Sequence, residues 1–400
     1  MKIKKPTAKK KPTAKKKKPD MKKVLIALIG VLFITLIAIA AIFIFSNSTS
    51  EDIPADEPDG VLQISEPGAT PGSTPGPGLT PEPAPTPEPV YDSFSPLTGL
   101  PMEGAKIRNR PLAVVINNIP QSLPMNGVSK ADIIYEVLVE GGITRMLALY
   151  QDISRVEKVG SIRSARHYTV EIANSYDAIL ASAGGSPQAF AMVKQLGIPH
   201  LNEVEGPHRE IFFRDRNRVP GHRFESLHSV VLTGERVAEW LPQYNFRLLH
   251  EEDHDQMLTF VDDGTPRGGS AALEVSVRFS SGNISAFTYK PEDSVYYMRE
   301  FNRDFIDAND NSSPGFTNIL ILKTSVSPIR GDASGRLNVE TTGTGVGYFV
   351  CGGKYIEIDW ARANRESPFM YSHKDGSSLE LGVGRTYICI IPKNMDVTFS

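Results

Sequence analysis

The hydrophobic and polar positions of this chain follow three different patterns along its length. Residues 24–45 are uncharged and apolar, with no polar stripe. Between residues 93 and 246, short apolar runs alternate with segments of helical spacing, and from residue 260 onward apolar and polar residues alternate with a period of two. These patterns predict a transmembrane helix at 24–45, an α/β domain at 93–246 and an all-β antiparallel domain of sandwich or barrel type at 260–400.

The elements of the α/β part are predicted from spacing and capping residues. The run KADIIYEVLVE at 130–140 fits a helix with one aliphatic face, although its β-branched residues also fit a strand. Ser186 is a good N-cap and Pro187 suits the first position of a helix. The other predicted elements are strands at 111–118, 144–153 and 178–182 and helices at 164–176 and 233–241.

The period-two region predicts strands and at least one tight hairpin. Gly352 and Gly353 stand at the turn of a hairpin in the run YFVCGGKYIEIDW. In the strand ALEVSVRFS, the residues expected to face the core are Leu273, Val275, Val277 and Phe279.

The apolar run at 24–45 predicts a single-pass membrane protein. As a helix it would span about 33 Å, more than the roughly 30 Å of a bilayer core. Twelve lysines precede it in the first 23 residues, which places the N-terminus in the cytoplasm and the bulk of the chain outside the cell membrane. No A-x-A-like cleavage site or nearby cysteine follows, so we expect an uncleaved signal anchor; a cleaved signal peptide is the alternative.

A proline-, threonine- and glycine-rich linker at 46–92 follows the predicted span. Its composition favours an extended chain that could carry the folded part on the order of 100 Å from the bilayer. Outside the membrane a disulfide is permitted, so Cys351 and Cys389 could pair or could be two separate buried thiols.

The charge of the chain is divided between its ends. Beyond residue 23 there remain 31 of the 43 basic residues and 45 of the 46 acidic residues, a formal charge of −14. Nucleic-acid binding by the folded part is therefore not expected, because phosphate contacts need a basic surface.

Two arginines stand where a helix start disfavours cations. In VGSIRSARHY, Arg163 and Arg166 fall at the first turn of the helix predicted from Ser164, at the positive end of its dipole. They could bind an external carboxylate or phosphate there, with Arg145 nearby. Alternatively, they pair with the chain's own acids, for which Glu136 and Glu140 are the candidates.

The glycine turn in ASAGGSPQAF is a second candidate for anion binding. Gly184, Gly185 and Ser186 connect a predicted strand to a helix N-terminus, where backbone N–H groups can bind an anion. The alternative is a tight turn that needs glycine for its backbone conformation. The run matches neither nucleotide-binding glycine motif, so no nucleotide cofactor is predicted.

Three further groups of residues are candidates for catalysis. On a helix, Glu136 and Glu140 would lie within about 6 Å, as in a glycosidase pair; on a strand they would be about 13 Å apart. HEEDH at 250–254 matches the zinc-protease motif H-E-x-x-H, but it lies in an acidic stretch at the domain junction and no third ligand stands out. A triad using His222 or His228 has no G-x-S-x-G partner. We predict no metal site.

Several runs together resemble the YerB family of bacterial envelope lipoproteins of unknown function. They are NRPLAVVINN, ADIIYEVLVEGGITRMLALYQ, VGSIRSARHY, DAILASAGGSPQA, GYFVCGGKYIEIDW and DGSSLELGVGRTYICIIP, spread over residues 93–400. The resemblance implies a membrane-tethered extracytoplasmic protein with N- and C-terminal YerB domains, and it implies no reaction. This chain departs from the family in lacking a cysteine for lipid attachment and in the run VPGHRFES around His222.

Taken together, these observations favour a non-catalytic envelope protein. It would bind an anionic or glycan component of the cell wall, or a partner protein, through Arg145, Arg163, Arg166 and the glycine turn. The alternative is a hydrolase or transferase that modifies the cell wall with Glu136, Glu140 or a histidine.

Overall fold

The computed structural model describes residues 91–252, 254 and 258–400. The predicted lysine-rich tail at 1–23, the transmembrane helix at 24–45 and nearly all of the linker at 46–92 lie outside the described residues. Within the described part of the chain, no helix is long and apolar enough to cross a membrane.

The N-terminal half of the described chain contains three α-helices and ten strands. The helices are α1 (His167–Ser175), α2 (Pro187–Leu196) and α3 (Gly234–Trp240). The strands are β1 (Ser93–Phe94), β2 (Pro101–Met102), β3 (Leu112–Asn118), β4 (Ile133–Leu138), β5 (Thr144–Tyr150), β6 (Val159–Gly160), β7 (Ile179–Ser182), β8 (His200–Asn202), β9 (Phe212–Arg214) and β10 (Val230–Leu232).

The C-terminal half contains strands only, among its described residues. They are β11 (Phe260–Val261), β12 (Ser270–Ala271), β13 (Glu274–Ser280), β14 (Asn283–Lys290), β15 (Val295–Glu300), β16 (Arg303–Asp304), β17 (Gly315–Phe316), β18 (Asn318–Thr324), β19 (Val326–Pro328), β20 (Leu337–Val339), β21 (Gly343–Cys351), β22 (Lys354–Arg362), β23 (Met370–Ser372), β24 (Leu381–Gly382), β25 (Thr386–Pro392) and β26 (Val397–Phe399).

One eleven-stranded sheet runs through both halves of the chain. Its order is β12-β22-β21-β18-β25-β4-β5-β3-β7-β8, with β23 beside β22. In the middle of the sheet β25 lies parallel to β4, with Ile388 opposite Tyr135. The two halves are therefore joined by a strand ladder as well as by side-chain packing.

Both faces of this sheet are buried. Along β3, Val114 and Ile116 belong to one hydrophobic cluster, and Ala113 and Val115 belong to the other. The first face is covered by a second, antiparallel sheet of order β16-β15-β14-β13-β26 with β17 beside β15, and the other face is covered by α1 and α2. This arrangement explains why the central strands are apolar at almost every position.

The helix predicted at 130–140 is wrong, and the strand alternative is confirmed. Residues Ile133–Leu138 form β4, and all six are buried. Ile134 and Leu138 face one core cluster while Ile133, Tyr135 and Val137 face the other. A strand buried on both sides is apolar at consecutive positions, and such a run can imitate the spacing of an amphipathic helix.

The C-terminal half is all-β as predicted, but it is not wholly antiparallel. β25 pairs in parallel with β18 on one side and with β4 on the other. Every residue of β25 is buried, which is typical of a central parallel strand. A period-two pattern reports which face is buried and carries no information on strand direction.

Several local predictions are confirmed and two need adjustment. The hairpin turn at Gly352 and Gly353 joins β21 to β22. In β13 the three residues Val275, Val277 and Phe279 are buried, whereas Leu273 precedes the strand and is 52% exposed. The helix predicted from Ser164 begins at His167.

The two cysteines are both buried and both free. Cys351 lies opposite Asn318 on one side of β18, and Cys389 lies opposite Ile321 on the other side. An intervening strand therefore separates the two thiols, and they are two separate buried groups.

Candidate functional site

The three arginines and one glutamate of the predicted site do come together. Arg145 is the second residue of β5, and Glu140 lies in the turn that connects β4 to β5. Arg163 lies in extended chain, with its N–H bonded to the Val115 carbonyl. Arg166 caps α1, because the chain turns into the helix only after this residue. We call Arg145, Arg163 and Arg166 the arginine cluster.

Arg166 is bound by the protein's own carboxylate. Its Nε lies 3.0 Å from Glu140 Oε2, and its Nη2 contacts Glu140 Oε1. This is a bidentate pair, the strongest geometry for a guanidinium and a carboxylate. Burial acts to raise the pKa of Glu140, but the Arg166 hydrogen bond and charge outweigh it and lower that pKa. The internal-pair alternative therefore holds for Arg166, with Glu140 as its partner.

Arg145 is deeply buried, and its positive charge is only weakly compensated by a negative group. Only 4% of the residue is exposed. One nitrogen donates to the Ser164 carbonyl at 2.6 Å, another lies 3.8 Å from Glu140 Oε1, and Nε has no partner among the described residues. Burial, followed by the charge of Arg166, lowers the pKa of Arg145 to about 9. The single carboxylate near Arg145 therefore does not offset the cost of burying its positive charge.

Arg163 is half-buried and has no ion pair within the described chain. Its Nη1 donates to the Leu227 carbonyl at 3.0 Å, and its Nε has no hydrogen-bond partner there. Burial lowers its pKa, and the nearby Arg166 lowers it further. Three guanidinium groups thus share one carboxylate, so the arginine cluster with Glu140 carries a formal charge of +2.

Two further polar residues, Asn117 and His228, lie beside the arginine cluster. Their association was not predicted from the sequence. Asn117 in β3 is opposite Arg145 in β5, and its Nδ2 lies 3.2 Å from His228 Nδ1. Burial lowers the pKa of His228, and the charge of Arg163 lowers it further. A neutral imidazole and an amide therefore border the arginine cluster. His222, by contrast, lies in an exposed loop.

The glycine turn lies against the arginine segment, but most of its backbone donors are already used. Ala165 and Gly185 form a bridge between the two segments. The Gly184 N–H donates to Asn202 Oδ1 at 2.9 Å, and the Ser186 N–H donates to the Ala165 carbonyl at 3.0 Å. Gly184 has a φ of +74°, which favours glycine. This geometry agrees with the tight-turn alternative.

Glu136 lies in a different place, sealed between the two sheets. It is fully buried in β4 and accepts four hydrogen bonds. The donors are Asn118 Nδ2 at 3.0 Å, Thr144 Oγ1 at 2.6 Å, Ser285 Oγ at 2.7 Å and Tyr387 OH at 2.8 Å. Burial raises the pKa of Glu136, and the four hydrogen bonds act against that shift by favouring the charged form. Glu136 is therefore an internal hydrogen-bond acceptor whose four acceptor positions are all occupied.

A second buried carboxyl, Glu300 in β15, shares the Ser285 hydroxyl with Glu136. Ser285 Oγ lies 2.5 Å from Glu300 Oε1. One hydroxyl has one proton, so Ser285 cannot donate to both carboxyls at once, and we assign the additional proton to Glu300. Burial raises the pKa of Glu300 well above its usual value, and the charge of Glu136 raises it further. The sequence contained a signal for this residue, since Tyr296, Met298 and Glu300 are alternate inward positions.

Among its described residues, the HEEDH run contains a turn and no helical residue. The His254 N–H donates to the Glu251 carbonyl at 3.2 Å, and the imidazole of His254 stacks on that of His250 with 4.0 Å between ring centres. Because the zinc-protease motif needs both histidines on one helix face, this geometry does not form that site. His250 Nδ1 instead lies 3.0 Å from Asp177 Oδ2.

The chain is similar to proteins whose function is not known. Residues 97–240 match the N-terminal domain, and residues 275–388 the C-terminal domain, of a protein family of unknown function, DUF3048. YerB of Bacillus subtilis strain 168, provisionally described as a lipoprotein, is 30% identical over 302 residues, which are 74% of this chain and 86% of YerB. The crystal structure of YerB superposes with a TM-score of 0.64 at 27% identity and covers 76% of this chain and 99% of the YerB chain. These matches confirm the family resemblance.

Proposed function

The chain belongs to the DUF3048 family, which includes YerB, and from this premise we propose that it is an envelope protein that binds an anionic ligand outside the cell membrane. The description of YerB as a lipoprotein supports the envelope location. The apolar run at 24–45, which lies outside the described residues, supports attachment through a single membrane-spanning helix in place of a lipid.

The uncompensated charge of the arginine cluster is the observation that carries the proposed binding function. Arg163 has no acidic partner in the described chain, Arg145 is 3.8 Å from the one nearby carboxylate, and Arg166 already uses that carboxylate. Buried cations without counter-ions cost free energy, and a bound anion would remove that cost. We propose that the ligand is an anionic cell-wall polymer or an acidic surface of a partner protein.

The positions of Glu136 and Glu140 support binding over the hydrolase or transferase alternative. Glu136 has no exposed surface and four hydrogen-bond donors around it, and Glu140 is paired with Arg166. A general acid or nucleophile must be free to react with the substrate, whereas Glu136 is enclosed and Glu140 is held in its ion pair with Arg166.

Binding of the full chain to cell-wall sacculi at low salt tests this proposal. Arg163→Ala removes a half-buried guanidinium whose one hydrogen bond is to a backbone carbonyl. Because a charge-assisted hydrogen bond contributes roughly 1.5–3 kcal/mol, we expect binding to weaken by about tenfold or more. Sacculi stripped of their anionic polymers should bind the unmodified chain equally weakly. A co-sedimentation titration measures both.

Arg223→Ala is the matched control, since Arg223 is exposed and lies outside the arginine cluster. It should leave binding within about twofold of the unmodified chain, because exposed charges contribute little. Equal binding by the Arg163→Ala and Arg223→Ala variants, with both correctly folded by circular dichroism, would contradict the proposed site.

A further inference from the structure

Three metal-ligating side chains converge at the connection between the two halves of the chain. Asp177 lies in the turn after α1, while His250 and His254 lie in the segment that leads to β11. One potential ligand atom from each residue lies within 4.8 Å of the other two. The turn that bonds the His254 N–H to the Glu251 carbonyl brings the second imidazole over the first. We call Asp177, His250 and His254 the junction cluster.

We propose that the junction cluster binds a divalent transition-metal ion, with Zn²⁺ as the best match to its ligands. Two imidazole nitrogens and one carboxylate oxygen form a common zinc ligand set that leaves one position open. The sequence alone predicted no metal site, so this proposal differs from that prediction. It is independent of the proposed anion binding, because none of the three residues belongs to the arginine cluster.

The distances between the ligand atoms of the junction cluster are close to those of a zinc site, so binding would require only a local change in side-chain orientation. Zinc–ligand distances of about 2.1 Å in a tetrahedral site place ligand atoms about 3.4 Å apart. The Asp177–His250 contact, at 3.0 Å, is already within that spacing. The rings of His250 and His254 are parallel to within 4°, so one ring must tilt before both nitrogens can point at one ion.

The Asp177 carboxylate has one oxygen available for a metal ion. Asp177 Oδ1 is bound by Arg110 at 2.9 Å and by Arg247 at 2.8 Å, while Oδ2 faces His250. The two guanidinium groups oppose a cation, so we expect a dissociation constant in the micromolar range.

A cavity beside the junction cluster leaves space for the open coordination position. It has a volume of about 120 Å³, and both histidines, Glu251 and Glu252 line it together with apolar residues such as Leu97. A water molecule in this cavity could complete the coordination of the ion. The bound ion would link the turn after α1 to the connection between the halves, and it should therefore stabilise the protein.

Titration of the metal-stripped full chain with ZnCl₂ against a chromophoric zinc indicator tests the inference. We expect one equivalent of Zn²⁺ to bind, and Co²⁺ in its place to give the visible absorption of a tetrahedral site. His254→Ala should weaken binding at least tenfold and abolish the rise in melting temperature that Zn²⁺ gives the unmodified chain. His250→Ala should do the same for binding, although it also removes the Asp177 hydrogen bond.

His222→Ala is the control, because His222 is exposed in a different loop and lies outside the junction cluster. It should bind Zn²⁺ as the unmodified chain does. Absence of stoichiometric binding would overturn the proposal, as would equal affinity in the His254→Ala and His222→Ala variants. If Arg163→Ala loses sacculus binding but binds Zn²⁺ as the unmodified chain does, the two sites act independently.

Discussion

At the scale of single residues, this protein buries charge in two different ways. Glu136 is fully enclosed, yet it meets four hydrogen-bond donors that replace the water it has lost. Arg145 is almost as deeply enclosed, yet its Nε has no hydrogen-bond partner among the described residues and its nearest carboxylate is shared. The hydrogen bonds of Glu136 are therefore complete, whereas the charge of Arg145 is only partly compensated.

Replacing the protonated Glu300 by glutamine should remove part of the pH dependence of stability. Because the pKa of Glu300 is raised in the folded state, the folded protein keeps a proton that the unfolded chain releases above pH of about 4.3. The unmodified protein should therefore lose up to about 1.4 kcal/mol of unfolding free energy per pH unit as the pH rises from that value. Glu300→Gln should keep its stability near neutral pH and show a shallower slope.

The paired variant Glu136→Gln should destabilise the protein near neutral pH. It places an amide where four donors converge, which should cost roughly 1–3 kcal/mol, and it removes the charge that adds to the raised pKa of Glu300. Asp132, whose pKa burial raises to about 6, leaves a residual slope below that pH in both variants. Urea denaturation from pH 5 to 9 measures the slopes. If Glu300→Gln destabilises as much as Glu136→Gln, the proton is wrongly assigned.

The residues of the arginine cluster could be predicted from the sequence, but their ion pairing could not. Helix spacing and the dipole argument singled out Arg163 and Arg166, and Glu140 was one of two acids considered as partners. The difference between Arg166, which is paired, and Arg163, which is not, depends on how the β4–β5 turn approaches the start of α1. That approach is a tertiary contact, and no local pattern encodes it.

At the scale of elements, the predicted N-cap at Ser186 is confirmed, whereas the helix predicted at 130–140 is wrong. The Ser186 side chain accepts from the Ala189 N–H at the start of α2. The spacing-based helix at 130–140 is β4, because burial on both faces erased the polar positions that would have marked a strand.

Ser186→Ala should separate the structural role of the glycine turn from ligand binding. The change removes the Oγ that accepts from the Ala189 N–H at 3.1 Å, which should lower the unfolding free energy by about 1 kcal/mol. Sacculus binding should stay within about twofold, because Ser186 acts here as a cap. Ser334→Ala, in an exposed turn, is the stability control. A tenfold loss of binding in folded Ser186→Ala would instead make the turn part of the binding site.

At the scale of the whole molecule, the two halves are one structural unit built around a shared sheet. The change from mixed to period-two patterning near residue 260 correctly separates the half with helices and strands from the half with strands only. The position of β25 in the sheet cannot be predicted from this pattern, because a fully buried strand can pair with any neighbour that has a free edge. Its placement beside β4 depends on contacts between residues more than 200 positions apart.

The shared sheet predicts that the N-terminal half cannot fold alone. A chain that ends at residue 246 would lack β25, so the edge of β4 and its six buried residues would meet solvent. An unpaired apolar edge promotes aggregation, so we expect this fragment to be insoluble or to lack cooperative unfolding. Producing it together with residues 247–400 should restore a soluble complex, because β25 can then pair with β4. As a control, the full chain cleaved at a protease site inserted near residue 255 should remain folded. Cooperative unfolding of the isolated N-terminal half would show that β4 does not need its partner strand.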